Sequence, residues 1–138
     1  MADKREVKTG PAGARNQDLL SYACGLGGWL LPGLGHALLK MWGRAVVTFV
    51  LVGVLVLAGV SLRGNVFASA GPDAFSTLGY LADLGAGSFY FAARSFETLG
   101  PDVSKAAGDY GTRFLAAAGI LNLLCALHAC EVARGRKA

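Results

Sequence analysis

The chain has 138 residues, of which 54% are hydrophobic and only 16% are charged, and its formal net charge is +4. Soluble domains carry about 25% charged residues, so this composition favours a membrane protein over a soluble domain. The basic residues are dispersed over the two ends and the connections. This pattern is typical of residues that orient a chain in a membrane, rather than of a surface that binds nucleic acid.

The amino-terminal end and the first apolar segment are clearly separated. Residues 1–18 are polar, which predicts a flexible tail. Residues 19–39 carry no charge and are long enough to cross about 30 Å of hydrocarbon. Pro32 and Gly33 interrupt this run, and proline removes a helical hydrogen bond. Two interpretations stay open: a kinked span, or two half-helices that form a re-entrant hairpin.

Small residues on this first segment predict close contact with other helices. A broken helix at membrane depth is tolerated only where protein covers the freed backbone. Glycines also let helix backbones approach each other closely. The packing positions that we predict here are Gly25, Gly28, Pro32, Gly33 and Gly35.

The stretch 45–62 is the clearest membrane span of the chain. It contains no charged residue, and its 18 residues reach about 27 Å as a helix. Because it is hydrophobic on all sides, we expect lipid to contact most of its surface.

The stretch 74–98 carries leucine and aromatic side chains, and in its first half they recur every three residues. This pattern predicts an amphipathic helix in the membrane interface, with Phe89, Tyr90 and Phe91 at headgroup depth. The alternative is a further span, in which Asp83 would cost about 2.5–3.5 kcal/mol unless it is paired.

The last span is predicted over 112–133, and a basic tail follows it at 134–138. Gly119 lies in a small-residue surface suited to close helix packing, and Asn122 is expected to hydrogen-bond a neighbouring helix. We assign residues 19–133 to one membrane domain. The predicted fold class is all-α: a polytopic helical membrane protein with a Pro/Gly-broken first segment, two clear transmembrane helices, and an amphipathic or fourth spanning helix.

Lys and Arg residues near the spans predict the orientation. The tail to residue 18 holds four of them, the connector holds Lys40 and Arg44, and the carboxyl-terminal end holds three. The stretch 63–112 holds three against five acidic residues. A hairpin at 19–39 would place both ends and the connector in the cytoplasm. The four-span alternative places the connector outside.

The chain has two histidines, His36 and His128, and both lie near the ends of apolar segments. A neutral imidazole can be an axial ligand of haem iron or chlorophyll magnesium, so both are tentative cofactor ligands. The structural alternative is that each caps a backbone carbonyl or lies at headgroup level. Cys125 and Cys130 do not complete a metal site with His128, because no fourth ligand is evident. We predict no catalytic residue and no metal site.

Two motifs resemble an uncharacterised family of small bacterial integral membrane proteins, a domain of unknown function. One is the Pro-Gly-x-Gly-His hairpin at 32–36 with the basic connector that follows it. The other is the carboxyl-terminal helix, with Ala-Gly-Ile-Leu-Asn at 118–122. The resemblance covers most of the chain from about residue 19. It implies the topology and a bacterial origin, and it implies no activity.

These observations predict a non-catalytic accessory subunit of a larger complex in the bacterial inner membrane. The first host that we expect is energy-transducing, either a photosynthetic reaction centre or a respiratory complex. Bound (bacterio)chlorophyll, carotenoid, haem or lipid would be compatible with this role, whereas no nucleic acid or small-molecule substrate is expected. The alternative is a self-associating protein that organises or senses lipid through 74–98. A transporter is disfavoured because the sequence shows no inverted repeat.

Overall fold

The computed structural model describes residues 11–97, 100–102 and 104–135. Within these residues the chain forms six helices and no strand. Two of the helices, α3 and α6, are long and apolar enough to cross a membrane, so the predicted all-helical fold class with two long apolar helices is confirmed. The helices are α1 (Pro11–Leu30), α2 (Leu34–Leu38), α3 (Trp42–Ser61), α4 (Ala74–Leu84), α5 (Ser88–Phe96) and α6 (Ala106–Ala133).

The long helix α6 contacts α1, α3 and α4 more extensively than it contacts the other helices. Near the start of α3, the Thr48 hydroxyl donates to the Cys125 Sγ atom at 3.7 Å. Near its end, Gly59 lies against Leu115 and Gly111. Because residue numbers rise along one helix as they fall along the other, α3 and α6 are antiparallel.

The helices α1 and α2 form a short hairpin beside the carboxyl-terminal half of α6. The turn between them contains Gly33 at a φ of +87°, a conformation that favours glycine. The chain then reverses, and the position of a Cβ on Gly28 is 3.4 Å from the Gly35 Cα atom. The structure therefore contains a hairpin rather than a kinked span, and its first arm is a 20-residue helix followed by the 5-residue α2. The tail prediction is wrong for residues 11–18, which belong to α1, and residues 1–10 lie outside the described residues.

The helices α4 and α5 form a second short hairpin, so the prediction of one amphipathic helix over 74–98 is wrong. The break contains Gly87 at a φ of +62°. Before it, Ala82 of α4 lies against Gly119 of α6. After it, Phe89 of α5 packs against Phe49 of α3, with ring centroids 5.3 Å apart. The three-residue pattern extends only as far as α4 does, because the chain then crosses from α6 to α3.

Each half of the described chain consists of a short hairpin followed by a long helix. Because α3 and α6 are antiparallel, the two halves have opposite directions. Their packing differs, however, because α1 and α4 both contact α6, and α1 is a 20-residue helix whereas α4 has 11 residues.

The outer faces of the two long helices are apolar and exposed. At most 33% of the residues in their most apolar windows are buried, which differs from the buried core helix of a soluble protein. The core consists mainly of small and β-branched side chains. Its buried residues are Val52, Val56, Val66, Ala86, Tyr90, Ala93, Leu115 and Ala118.

We expect Gly119→Ala to lower the free energy of unfolding by about 1–3 kcal/mol, because the new Cβ would meet the Ala82 carbonyl and the Ala86 nitrogen. The matched control is Gly53→Ala on α3, where the nearest atom to the new Cβ would be 3.9 Å away. This control should be neutral, or more stable by about 0.5–1 kcal/mol, since alanine favours helix. Thermal unfolding in detergent, followed by circular dichroism, measures both. Equal midpoints for the two variants would contradict the α4–α6 contact.

Candidate functional site

The tips of the two hairpins meet beside the middle of α6. The Trp29 indole Nε1 donates a hydrogen bond to the Leu84 carbonyl at 3.1 Å. The Asn122 Nδ2 atom donates to the Trp29 carbonyl and to the Gly85 carbonyl, both at 2.9 Å. Asn122 is fully buried. One side chain of α6 therefore joins the end of α1 to the end of α4.

The small residues predicted on the first segment lie at close helix contacts. A Cβ on Gly28 would lie 3.4 Å from the Ala126 Cα atom, and a Cβ on Gly35 would meet the Cys24 carbonyl. Gly25 has more space, since its Cβ would be 3.5 Å from the Cys130 Cβ atom. These contacts place α1 and α2 against each other and against α6.

The turn of the first hairpin also packs against the start of α3. Pro32 is fully buried, and a Cβ on Gly33 would meet the Ala45 carbonyl. The Met41 N–H donates to the His36 carbonyl at 2.9 Å. The Pro-Gly-x-Gly-His motif thus sets the path of the chain from α1 into α3.

The fold brings the two histidines into contact, although they are far apart in the sequence. His36 Nε2 and His128 Nδ1 are 3.1 Å apart, and the rings are stacked with centroids 5.4 Å apart. His36 is buried at 4% exposure. This separation is a hydrogen-bonding distance, so one ring nitrogen donates to the other, and the direction depends on the tautomers.

A cavity of about 450 Å³ lies beside the histidine pair, between α3 and α6. The sequence analysis did not identify as ligands the polar residues that α3 contributes to this cavity. The signal for them was the i, i+4 spacing of Arg44 and Thr48, which places both on one face of α3. The lining residues are His36, Gly43, Arg44, Val47, Thr48, Leu124, Cys125 and His128. In the described part of the chain, no group of three His, Cys, Asp or Glu residues is arranged to hold a metal ion.

Asp83 and Tyr90 hold the backbone of Phe67 in the core. The Phe67 N–H donates to Asp83 Oδ2 at 2.9 Å, and the Tyr90 hydroxyl donates to the Phe67 carbonyl at 3.0 Å. Asp83 is 2% exposed, so its carboxylate is buried. Tyr90 is 4% exposed and faces the core, Phe89 packs against α3, and Phe91 is 61% exposed. The headgroup depth of these three aromatic residues stays a prediction.

Polar contacts close the end of the molecule where α3 ends and α6 begins. The Arg63 side chain donates to the Gly100 carbonyl at 3.1 Å and lies 3.6 Å from Asp102. The hydroxyl of Ser104, followed by the ammonium group of Lys105, holds the pKa of Asp102 below its usual value.

These features define a small helical protein with two membrane-length helices and two hairpins. The tips of the hairpins meet beside the middle of α6. The chain belongs to the Family of unknown function (DUF6677), which matches residues 23–138. No curated protein and no solved structure matches the chain.

We expect Asn122→Leu to lower the free energy of unfolding by about 2 kcal/mol. Leucine has a similar volume, but it leaves the carbonyls of Trp29 and Gly85 without their donor in a buried site. Ile120→Leu is the control, because Ile120 is 51% exposed on the same helix. Thermal unfolding in detergent measures both variants, and an unchanged midpoint for Asn122→Leu would contradict the role of the amide.

Proposed function

We propose that this chain is a non-catalytic accessory subunit of a bacterial inner-membrane complex, in which it packs against other membrane proteins. The observation that supports the proposal best is an open apolar groove between α4 and α6, with a volume of about 720 Å³. Small residues line part of it and large apolar residues flank them, which suits a helix of another subunit. The residues that line it include Phe75, Leu78, Gly79, Ala82, Ala116, Ala117 and Ile120.

A second feature supports cover by another protein. The end of α1 lies beside Asn122 in the middle of α6, and Leu31, at which the turn begins, is 41% exposed. Within hydrocarbon, non-helical backbone is tolerated only where protein or a water-filled cavity surrounds it. A partner subunit at this position would cover the part of the turn that this chain leaves exposed.

In the proposed orientation both ends of the chain are cytoplasmic. The first hairpin enters the membrane from the cytoplasmic side, and the second hairpin enters it from the opposite side. The first hairpin and the connector at Lys40 and Arg44 then lie on the cytoplasmic side, in accord with the positive-inside rule. The turn before α4 lies on the opposite side. The expectation of an energy-transducing host with bound pigment or haem stays a prediction.

Thiol labelling tests this orientation in bacterial cells, using a chain in which Cys24, Cys125 and Cys130 are replaced by alanine. A membrane-impermeant maleimide should label Ala70→Cys in intact cells, because this residue precedes α4 on the outer side. It should label Lys40→Cys only after the membrane is permeabilised. The chain without any cysteine is the control. Labelling of Lys40→Cys in intact cells would contradict the hairpin and support four spans.

The alternative function, self-association with lipid organisation, has one specific observation in its favour. Phe75, Leu78 and Leu81 are 74%, 65% and 53% exposed and follow one another on the same face of α4. A second copy of the chain could cover this face as a different subunit would. The composition of the purified assembly distinguishes the two functions.

We expect Ala117→Trp to release the chain from its complex, because the indole would fill the groove that a partner helix needs. Val54→Trp is the matched control, since Val54 is 56% exposed on α3 and lies outside the groove. The measurement is mild-detergent purification from the native membrane, followed by a native gel and mass spectrometry of the same band. A free monomer for the unsubstituted chain would contradict both functions, and an assembly of this chain alone would favour self-association.

A further inference from the structure

We infer that the cavity beside the histidine pair binds the phosphate group of an anionic phospholipid. The cavity lies between the start of α3 and the carboxyl-terminal part of α6, so it is at the opposite end of α3 from the contact between Arg63 and Asp102. It is also separate from the groove in which we propose that a partner helix binds. The inference therefore goes beyond the accessory role and does not depend on it.

The histidine pair always offers a hydrogen-bond donor outside its own contact. Two neutral imidazoles carry two N–H groups, and the bond between His36 Nε2 and His128 Nδ1 uses one of them. The other N–H belongs to His36 Nδ1 or His128 Nε2, depending on the tautomers. If one ring becomes protonated, both of these outer nitrogens are donors. In each state the pair can donate to an anion in the cavity.

Arg44 adds a permanent positive charge to the same cavity. Its side chain is exposed, and within the described part of the chain no carboxylate forms an ion pair with it. A guanidinium group matches the oxygen atoms of a phosphate with paired donors. The cavity thus combines a cation that has no internal counterion with the donors of the histidine pair.

The start of α3 contributes a third attraction for an anion. No acidic residue lies in its first turn, and no side chain caps the helix. The first N–H groups of a helix have no intrahelical partner, and the helix dipole is positive at this end. Gly43 lines the cavity, and a Cβ built on it would meet no atom within 4 Å, so the backbone is open to a ligand.

The apolar part of the cavity favours a lipid over a soluble phosphate compound. Val47 and Leu124 line it and are 56% and 59% exposed on the two long helices. Trp42, which is 67% exposed at the start of α3, has the residue type that is enriched at the membrane interface. A headgroup phosphate near Arg44 would therefore place its acyl chains along the apolar faces of α3 and α6. Basic pockets between membrane helices on the cytoplasmic side bind anionic headgroups in this way.

The test titrates the purified full chain in mild detergent with phosphatidylglycerol or with phosphatidylcholine and counts bound lipid by native mass spectrometry. We expect the anionic lipid to bind more tightly than the zwitterionic one. Arg44→Gln should weaken this binding about tenfold, as expected for a lost charge-assisted hydrogen bond. Arg15→Gln is the matched control, because Arg15 is an exposed arginine on α1 that lines neither the cavity nor the groove. It should bind like the unsubstituted chain.

Arg44 is exposed, so its substitution should leave the fold intact, which circular dichroism checks. His128→Leu is a second variant that removes the outer Nε2 of His128 and breaks the histidine pair, and it should also weaken binding. Equal binding of the two lipids, or an equal loss in Arg44→Gln and Arg15→Gln, would overturn the inference. Displacement of the lipid by excess inorganic phosphate, with the same dependence on Arg44, would overturn the lipid assignment and indicate a soluble phosphate ligand.

Discussion

The hydrogen bonds of Asn122 are the constraint on which the arrangement of both hairpins depends. The last carbonyl groups of a helix have no partner inside the helix, and leaving such a group unpaired in hydrocarbon costs several kcal/mol. Both α1 and α4 end beside the middle of α6. There, the Asn122 amide nitrogen satisfies the carbonyls of Trp29 and Gly85. This one polar residue allows two helices to end where a membrane would supply no water.

The two halves of the chain have the same order of elements, although α1 and α4 both pack against α6. The first hairpin turns at Pro32 and Gly33, whereas the second turns at Gly85–Gly87. In both, a glycine contact brings the hairpin against α6: Gly28 for α1 and Gly119 for α4. The opposite directions of the halves follow from the antiparallel packing of α3 and α6. Short side chains fill most of the interior of the protein, and many of the large apolar side chains are exposed.

The two proposed binding surfaces lie at different parts of α6. The groove for a partner helix uses residues from Asp109 to Ile120, and the phosphate cavity uses residues from Leu124 to His128. Partner binding and lipid binding would therefore be separable.

The sequence by itself determined the features that depend on local composition and local backbone geometry. An uncharged run at 45–62 predicts a long apolar helix, and Pro32 with Gly33 predicts a break, since both effects act within a few residues. Only the tertiary structure decided the meeting of His36 with His128, which are 92 residues apart. It also decided the burial of Tyr90, because an aromatic residue suits both an interface and a core. The periodicity of 74–98 could not reveal that Ala82 and Phe89 pack against different helices, because such contacts depend on how distant segments pack.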